Sequence, residues 1–115
     1  MKKIVDSFKH AINGIEYSFI TQRNIRIHFF IALIVLLLGI VVKLEYFELL
    51  IILLTINVVI AVEMINTAIE KTIDLITEEY NLLAKIAKDV AAGAVLISAI
   101  ISIIIGVLIF YNKIF

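Results

Sequence analysis

Three apolar stretches, each bounded by charged residues, constrain this sequence more than anything else in it. The first is Phe29 to Val42, inside the bracket Arg26 to Lys43; the second is Phe47 to Val62; the third is Val90 to Tyr111. A bilayer core of about 30 Å takes about 20 helical residues. The first stretch is short by that measure, but Arg26 and Lys43 can snorkel to the two interfaces. Inside lipid only helices and closed barrels satisfy their own backbone. The many β-branched Ile and Val residues would favour strands in water, but the span lengths decide for helix. The absence of proline leaves these helices uninterrupted. The hydrophobic share, 63%, exceeds the roughly 45–50% of a soluble domain, and a chain this small has no interior to hide it.

The expected architecture is an all-α integral membrane fold in one domain, residues 1–115. Spans are expected at about 27–44, 47–76 and 88–111, preceded by an amphipathic surface helix over about 1–25. That first helix is read from Ile4, Phe8, Ala11, Ile12, Ile15 and Phe19, which recur at helical spacing with Lys2, Lys3, Lys9 and Glu16 off the stripe. Lys2, Lys3, Lys9, Arg23, Arg26, Lys71, Lys85 and Lys88 fall on one side of the spans; only Lys43 and Lys113 fall on the other. The positive-inside rule then puts the N-terminus and the segment 63–89 in the cytoplasm. Zero net charge argues against nucleic acid as a partner. With no Cys there is neither a disulfide framework nor a thiol nucleophile.

The second span does not end where its apolar run ends. Glu63, Asn66, Glu70 and Asp74 continue it at offsets of three, seven and eleven. At about 100° per residue they fall within an arc of about 80°, so one helix face carries three carboxylates and an amide. Glu63 stands at the membrane boundary, where an acid is costly and a functional suspect. Glu63 and Glu70 are about 10.5 Å apart along the axis, too far to share one ion unaided. They can divide the labour, one holding Mg²⁺ and a nucleotide phosphate, another accepting a proton from an alcohol. The same pattern also fits a solvated face on a helix leaving the membrane. Gly14, Gly39, Gly93 and Gly106 form no phosphate-cradling loop.

The run Glu63-Met64-Ile65-Asn66-Thr67-Ala68-Ile69-Glu70, then Asp74, resembles the E-x-x-N-[ST]-A-[IL]-E-x-x-x-D signature of prokaryotic diacylglycerol kinases. Lys88-Asp89-Val90-Ala91-Ala92-Gly93-Ala94-Val95-Leu96 is similar to that family's K-D-x-x-[AS]-[GA]-A-V-L segment. Ser7 to Ala11 with Gly14, and Arg23-Asn24 through Arg26-Ile27-His28, resemble its Gram-positive branch, which is associated with undecaprenol phosphorylation. The resemblance implies a homotrimer in the bacterial inner membrane that uses MgATP to phosphorylate a lipid alcohol, undecaprenol first and diacylglycerol second. It implies Glu63 as catalytic base, Asn66 as a positioning group and Glu70 as metal ligand. It sets Lys3, His10, Asp74, Glu79, Tyr80, Asn81, Lys88 and Asp89 toward ATP. At Gln22 the chain departs from the family pattern, where a Glu shares the metal; an amide offers an oxygen but no charge.

The rival class is a small non-enzymatic transporter or assembly subunit. A transporter would carry its acids at mid-bilayer rather than at the boundary. Several features have bland readings. Ala94, Ser98, Ser102 and Gly106 form a small-residue ridge for close helix packing. Asn57 reads as an interhelical hydrogen bond, and His28, beside Phe29 and Phe30, as an interfacial or packing histidine.

Overall fold

The computed structural model describes residues 1–115 and is wholly α-helical outside its turns. Four helices follow in order: α1 (Lys2–Thr21), α2 (Arg23–Val41), α3 (Tyr46–Ile76) and α4 (Leu82–Ile114). The last three are each long and apolar enough to cross a membrane.

The elbow between α1 and α2 is fastened by a side chain. Gln22 is extended, with φ −109° and ψ 110°, which breaks the helix and leaves carbonyls of the last turn of α1 without intrahelical partners. Arg26 Nη1 donates to two of them, Phe19 O at 2.9 Å and Ile20 O at 2.8 Å. Arg26 is therefore a clamp between two helices as well as a boundary charge. Ile25, fully buried, and Ser18, 5% exposed, fill the inside of the bend. Phe19 meets Phe29 edge-on across it, ring centroids 5.7 Å apart.

The α2–α3 turn is tight. Lys43 takes a left-handed φ of 58°, and Leu44 N–H returns to Gly39 O at 3.0 Å. A Cβ on Gly39 would stand 2.8 Å from Leu44 Cδ1, so the glycine is what lets Leu44 fold back this closely. Glu45 N–H then donates to Glu48 Oε1 at 2.8 Å, opening α3. Lys113, at the far end of α4, lies 3.7 Å from the same Glu48 oxygen.

Helix α4 begins at Leu82, six residues before the expected 88, because Asn81 caps it: its side-chain oxygen accepts Ala84 N–H at 3.1 Å. Hydropathy marks where a helix enters lipid, whereas the cap marks where it starts. With 31 and 33 residues, α3 and α4 run about 46 and 50 Å, well beyond a core of about 30 Å. Both therefore project from the membrane on the side of their shared turn. Helix α3 packs most extensively on α4 and also touches α2. Between α2, α3 and α4 lies an apolar cleft of about 390 Å³, with His28 at one end and Leu38 and Phe110 toward the other. Only ten of the 115 residues are buried, so most of the apolar surface is left for lipid or for other chains. Ser102 and Gly106 of the small-residue ridge line the apolar cleft, and a Cβ at Gly106 would meet nothing within 4 Å. Asn57 is exposed and its side chain makes no hydrogen bond within the chain, so the interhelical bond expected of it does not form here.

Candidate active site

The projecting half of α3 carries the stripe expected from spacing, and burial grades along it. Glu63 is 3% exposed and Asn66 9%; Glu70 is half-buried and Asp74 exposed. The cause is the neighbouring helix. α2 lies over the first turn of the stripe and sets His28 Nε2 3.6 Å from Glu63 Oε2. One turn on, Thr67 Oγ1 donates to the Glu63 carbonyl at 3.1 Å. Asn66 Nδ2 donates to Glu70 Oε1 at 3.3 Å, so the amide and the second carboxylate act as one unit.

Two oxygens in this cluster are sealed and have no hydrogen-bond partner: Glu63 Oε2 and Asn66 Oδ1. Buried acceptors without donors cost about 1–3 kcal/mol each, more when charged. Such atoms call for an explanation, and a donor brought by a ligand is one. A carboxylate oxygen in that state suits an incoming O–H, because it is desolvated and has no strong bond to break first.

Beyond the stripe the surface turns polar. Lys88 Nζ, on α4, lies 2.6 Å from Asp74 Oδ1, tying the two projecting ends together. Lys85 pairs with Asp89 at 2.6 Å, one turn along α4. The α3–α4 turn closes through Glu79 N–H, which donates to Thr77 Oγ1 at 3.2 Å. These groups enclose a hollow of about 250 Å³ lined by Glu79, Tyr80, Asn81, Lys85, Lys88 and Asp89, among others. Five of the residues that the resemblance sets toward ATP thus share one small cavity. Asn81 has a structural duty as well, since its oxygen accepts the cap bond. Lys3 and His10 are exposed on α1, and their side chains make no hydrogen bond or ion pair with these groups. Gln22 sits half-buried at the elbow, its amide donating to Thr21 Oγ1 at 3.4 Å.

Nowhere do three or more His, Cys, Asp or Glu side chains converge on one point. That pattern does not build an all-protein metal cage. It does suit Mg²⁺, which keeps waters and substrate phosphates and needs only one or two protein oxygens. The carboxylate of Glu70 and the partnerless Asn66 Oδ1 beside it are the oxygens that fit.

His28 is the neighbour of Glu63 that sequence reading placed only as an interfacial or packing residue. It is 35 positions from Glu63, and no local pattern joins them. The available signal was an imidazole at the start of one apolar run, at the level where the next apolar run ends in Glu63.

Comparison with known proteins gives the family. The model of the prokaryotic diacylglycerol kinase family matches residues 9–110. The chain is 47% identical to the undecaprenol kinase of Bacillus subtilis (strain 168) over 113 residues, covering 98% of this chain and 92% of that protein. It is 45% identical to a diacylglycerol kinase of Synechocystis over 101 residues, 87% of this chain but only 58% of that longer protein. A diacylglycerol kinase of Helicobacter pylori is 29% identical over 99 residues, 86% of this chain and 77% of that protein. With a matched signature, three apolar crossings and a stripe of acids at their boundary, the chain belongs to the prokaryotic diacylglycerol kinase family and is a multi-pass membrane lipid kinase.

Proposed function

We propose that this kinase moves the γ-phosphate of ATP to the hydroxyl of undecaprenol, at the cytoplasmic face of the bacterial inner membrane. The observation that carries the reading is Glu63: an acid at the end of an apolar helix, sealed, with an oxygen that has no partner. In this reading the lipid hydroxyl donates into the Glu63 carboxylate, its proton passes to that carboxylate, and the alcohol oxygen attacks the γ-phosphorus as the bond to the β,γ-bridging oxygen breaks and ADP leaves. Asn66 holds Glu70 in place through their shared hydrogen bond. Glu70, with the Asn66 oxygen beside it and Gln22 as a weaker further donor, would hold Mg²⁺, which would neutralise phosphate charge as it develops. The hollow at the α3–α4 turn, with Lys88 on its wall and Asp74 fixing that lysine, would take the nucleotide. Lys3 and His10 on α1 would reach it from the membrane surface. The lipid tail would run along the apolar cleft between α2, α3 and α4.

The choice of undecaprenol rests on the Bacillus subtilis relative; the Synechocystis relative keeps diacylglycerol as the second substrate. Orientation follows from the basic residues around the elbow and the α3–α4 turn. The working unit is a homotrimer of single-domain chains. Its support is the exposed Asn57, about halfway through the core, since an amide in lipid needs a partner from another helix.

The test is transfer of labelled γ-phosphate from MgATP to a panel of lipid alcohols by the purified protein in bilayers. Undecaprenol is expected to be the best acceptor, with activity lost in Glu63→Gln. Transfer to diacylglycerol alone would replace the substrate. Undiminished activity in Glu63→Gln would overturn the role given to that acid.

A further inference from the structure

Glu63 has an environment that its proposed role does not by itself explain. A carboxylate that is 3% exposed loses its hydration, and its Oε2 has no hydrogen-bond donor to replace that water. Something in the chain has to offset that desolvation, and His28 is the one basic side chain within ion-pair range of the Glu63 carboxylate.

The surroundings of His28 fit such a duty. Its Nε2 faces Glu63 Oε2 at 3.6 Å, just beyond hydrogen-bond length, so a small movement on substrate entry closes the bond. Its side chain is 22% exposed against 4% for that of Glu63, and it lines the apolar cleft while Glu63 does not. The imidazole therefore stands between the cleft and the acid. The α2 segment that carries it is fixed on both sides, by Arg26 on the α1 carbonyls and by Phe29 against Phe19. A side chain that only filled space between two spans would not require a fixed backbone and an acid opposite.

We propose that His28 is a positioning residue for Glu63: from α2 it donates to the sealed carboxylate of α3 and turns it toward a hydroxyl held at the mouth of the cleft. The inference rests on the reading of Glu63 as the base. His28 itself neither receives the phosphoryl group nor needs to touch the lipid.

The experiment measures steady-state kinetics of the full-length protein in bilayers, with undecaprenol and MgATP, for wild type, His28→Leu, His28→Gln and His28→Ala, the last with and without added imidazole. Helix content by circular dichroism is taken for each variant. His28→Leu is expected to lower kcat about 100-fold, the scale of a misplaced general base, with KM for MgATP changed by no more than about twofold. His28→Gln restores a donor near the Nε2 position and is expected to recover at least about tenfold over His28→Leu. Added imidazole is expected to rescue His28→Ala. A kcat for His28→Leu within about threefold of wild type would overturn the inference. So would an equal loss in all three variants with no response to imidazole, which is the signature of a packing role. Failure of the wild type to phosphorylate any lipid alcohol would remove the underlying reading, and that result appears in a separate arm.

Discussion

The Lys88 ammonium lies 2.6 Å from Asp74 Oδ1, joining the start of α4 to the end of α3 outside the apolar part of either helix. Both side chains are substantially exposed, 39% and 46%. Exposed pairs contribute little to stability, so the value of this one is geometric. Asp74→Asn is expected to leave the thermal midpoint nearly unchanged and raise KM for MgATP about tenfold, because Lys88 loses its anchor. Parallel melting and kinetic measurements check it; a large fall in the midpoint with unchanged KM would make the pair structural.

Gln22 offers an oxygen without charge where the family pattern has an acid. Gln22→Glu is expected to lower the Mg²⁺ concentration for half-maximal rate several-fold, as an added carboxylate should for a hard cation. A Mg²⁺ titration at fixed ATP reads it directly. An unchanged requirement would mean that Gln22 does not face the metal.

Asn57 presents an amide to the core of the bilayer and finds no partner in its own chain. Asn57→Leu is expected to weaken association between chains by about 0.6 kcal/mol per hydrogen bond lost. Cross-linking yield against lipid dilution in bilayers measures this. Tighter association in the variant would show that Asn57 lies outside the interface.

Lys43 is the sole non-glycine residue with a positive φ, 58°. Lys43→Gly removes a left-handed penalty of about 1–2 kcal/mol, partly offset by about 0.5–1 kcal/mol of glycine flexibility in the unfolded chain. The expected net result is a modest rise in thermal midpoint with unchanged activity, measured in detergent or bilayers. A lower midpoint would mean that the lysine stem contributes packing at the interface.

The sequence was most legible where one helix explains itself. Span lengths and the spacing of Glu63, Asn66, Glu70 and Asp74 follow from a single period, and the Asn66–Glu70 hydrogen bond is its direct product. Helix ends were less legible: Asn81 carried the signal for the start of α4, but the apolar boundary at Val90 masked it. Contacts between helices were not legible at all. The His28–Glu63 approach depends on how α2 lies across α3, and that is set by the Arg26 clamp and the Ile25 bend 35 or more positions from the acid.

The lengths of α3 and α4 have a consequence for what this kinase senses. Glu63 is the eighteenth residue of α3, about 26 Å along a helix whose start is set near the opposite interface by Tyr46 and Phe47. The helix thus works as a depth gauge, holding its acid at one altitude relative to the lipid headgroups. With Glu63 as the proposed base, any alcohol whose hydroxyl floats at that altitude would be presented correctly, whatever hangs below it. Changing the thickness of the bilayer would then retune the reaction as a substitution in the site does, with lipid as the mutated component.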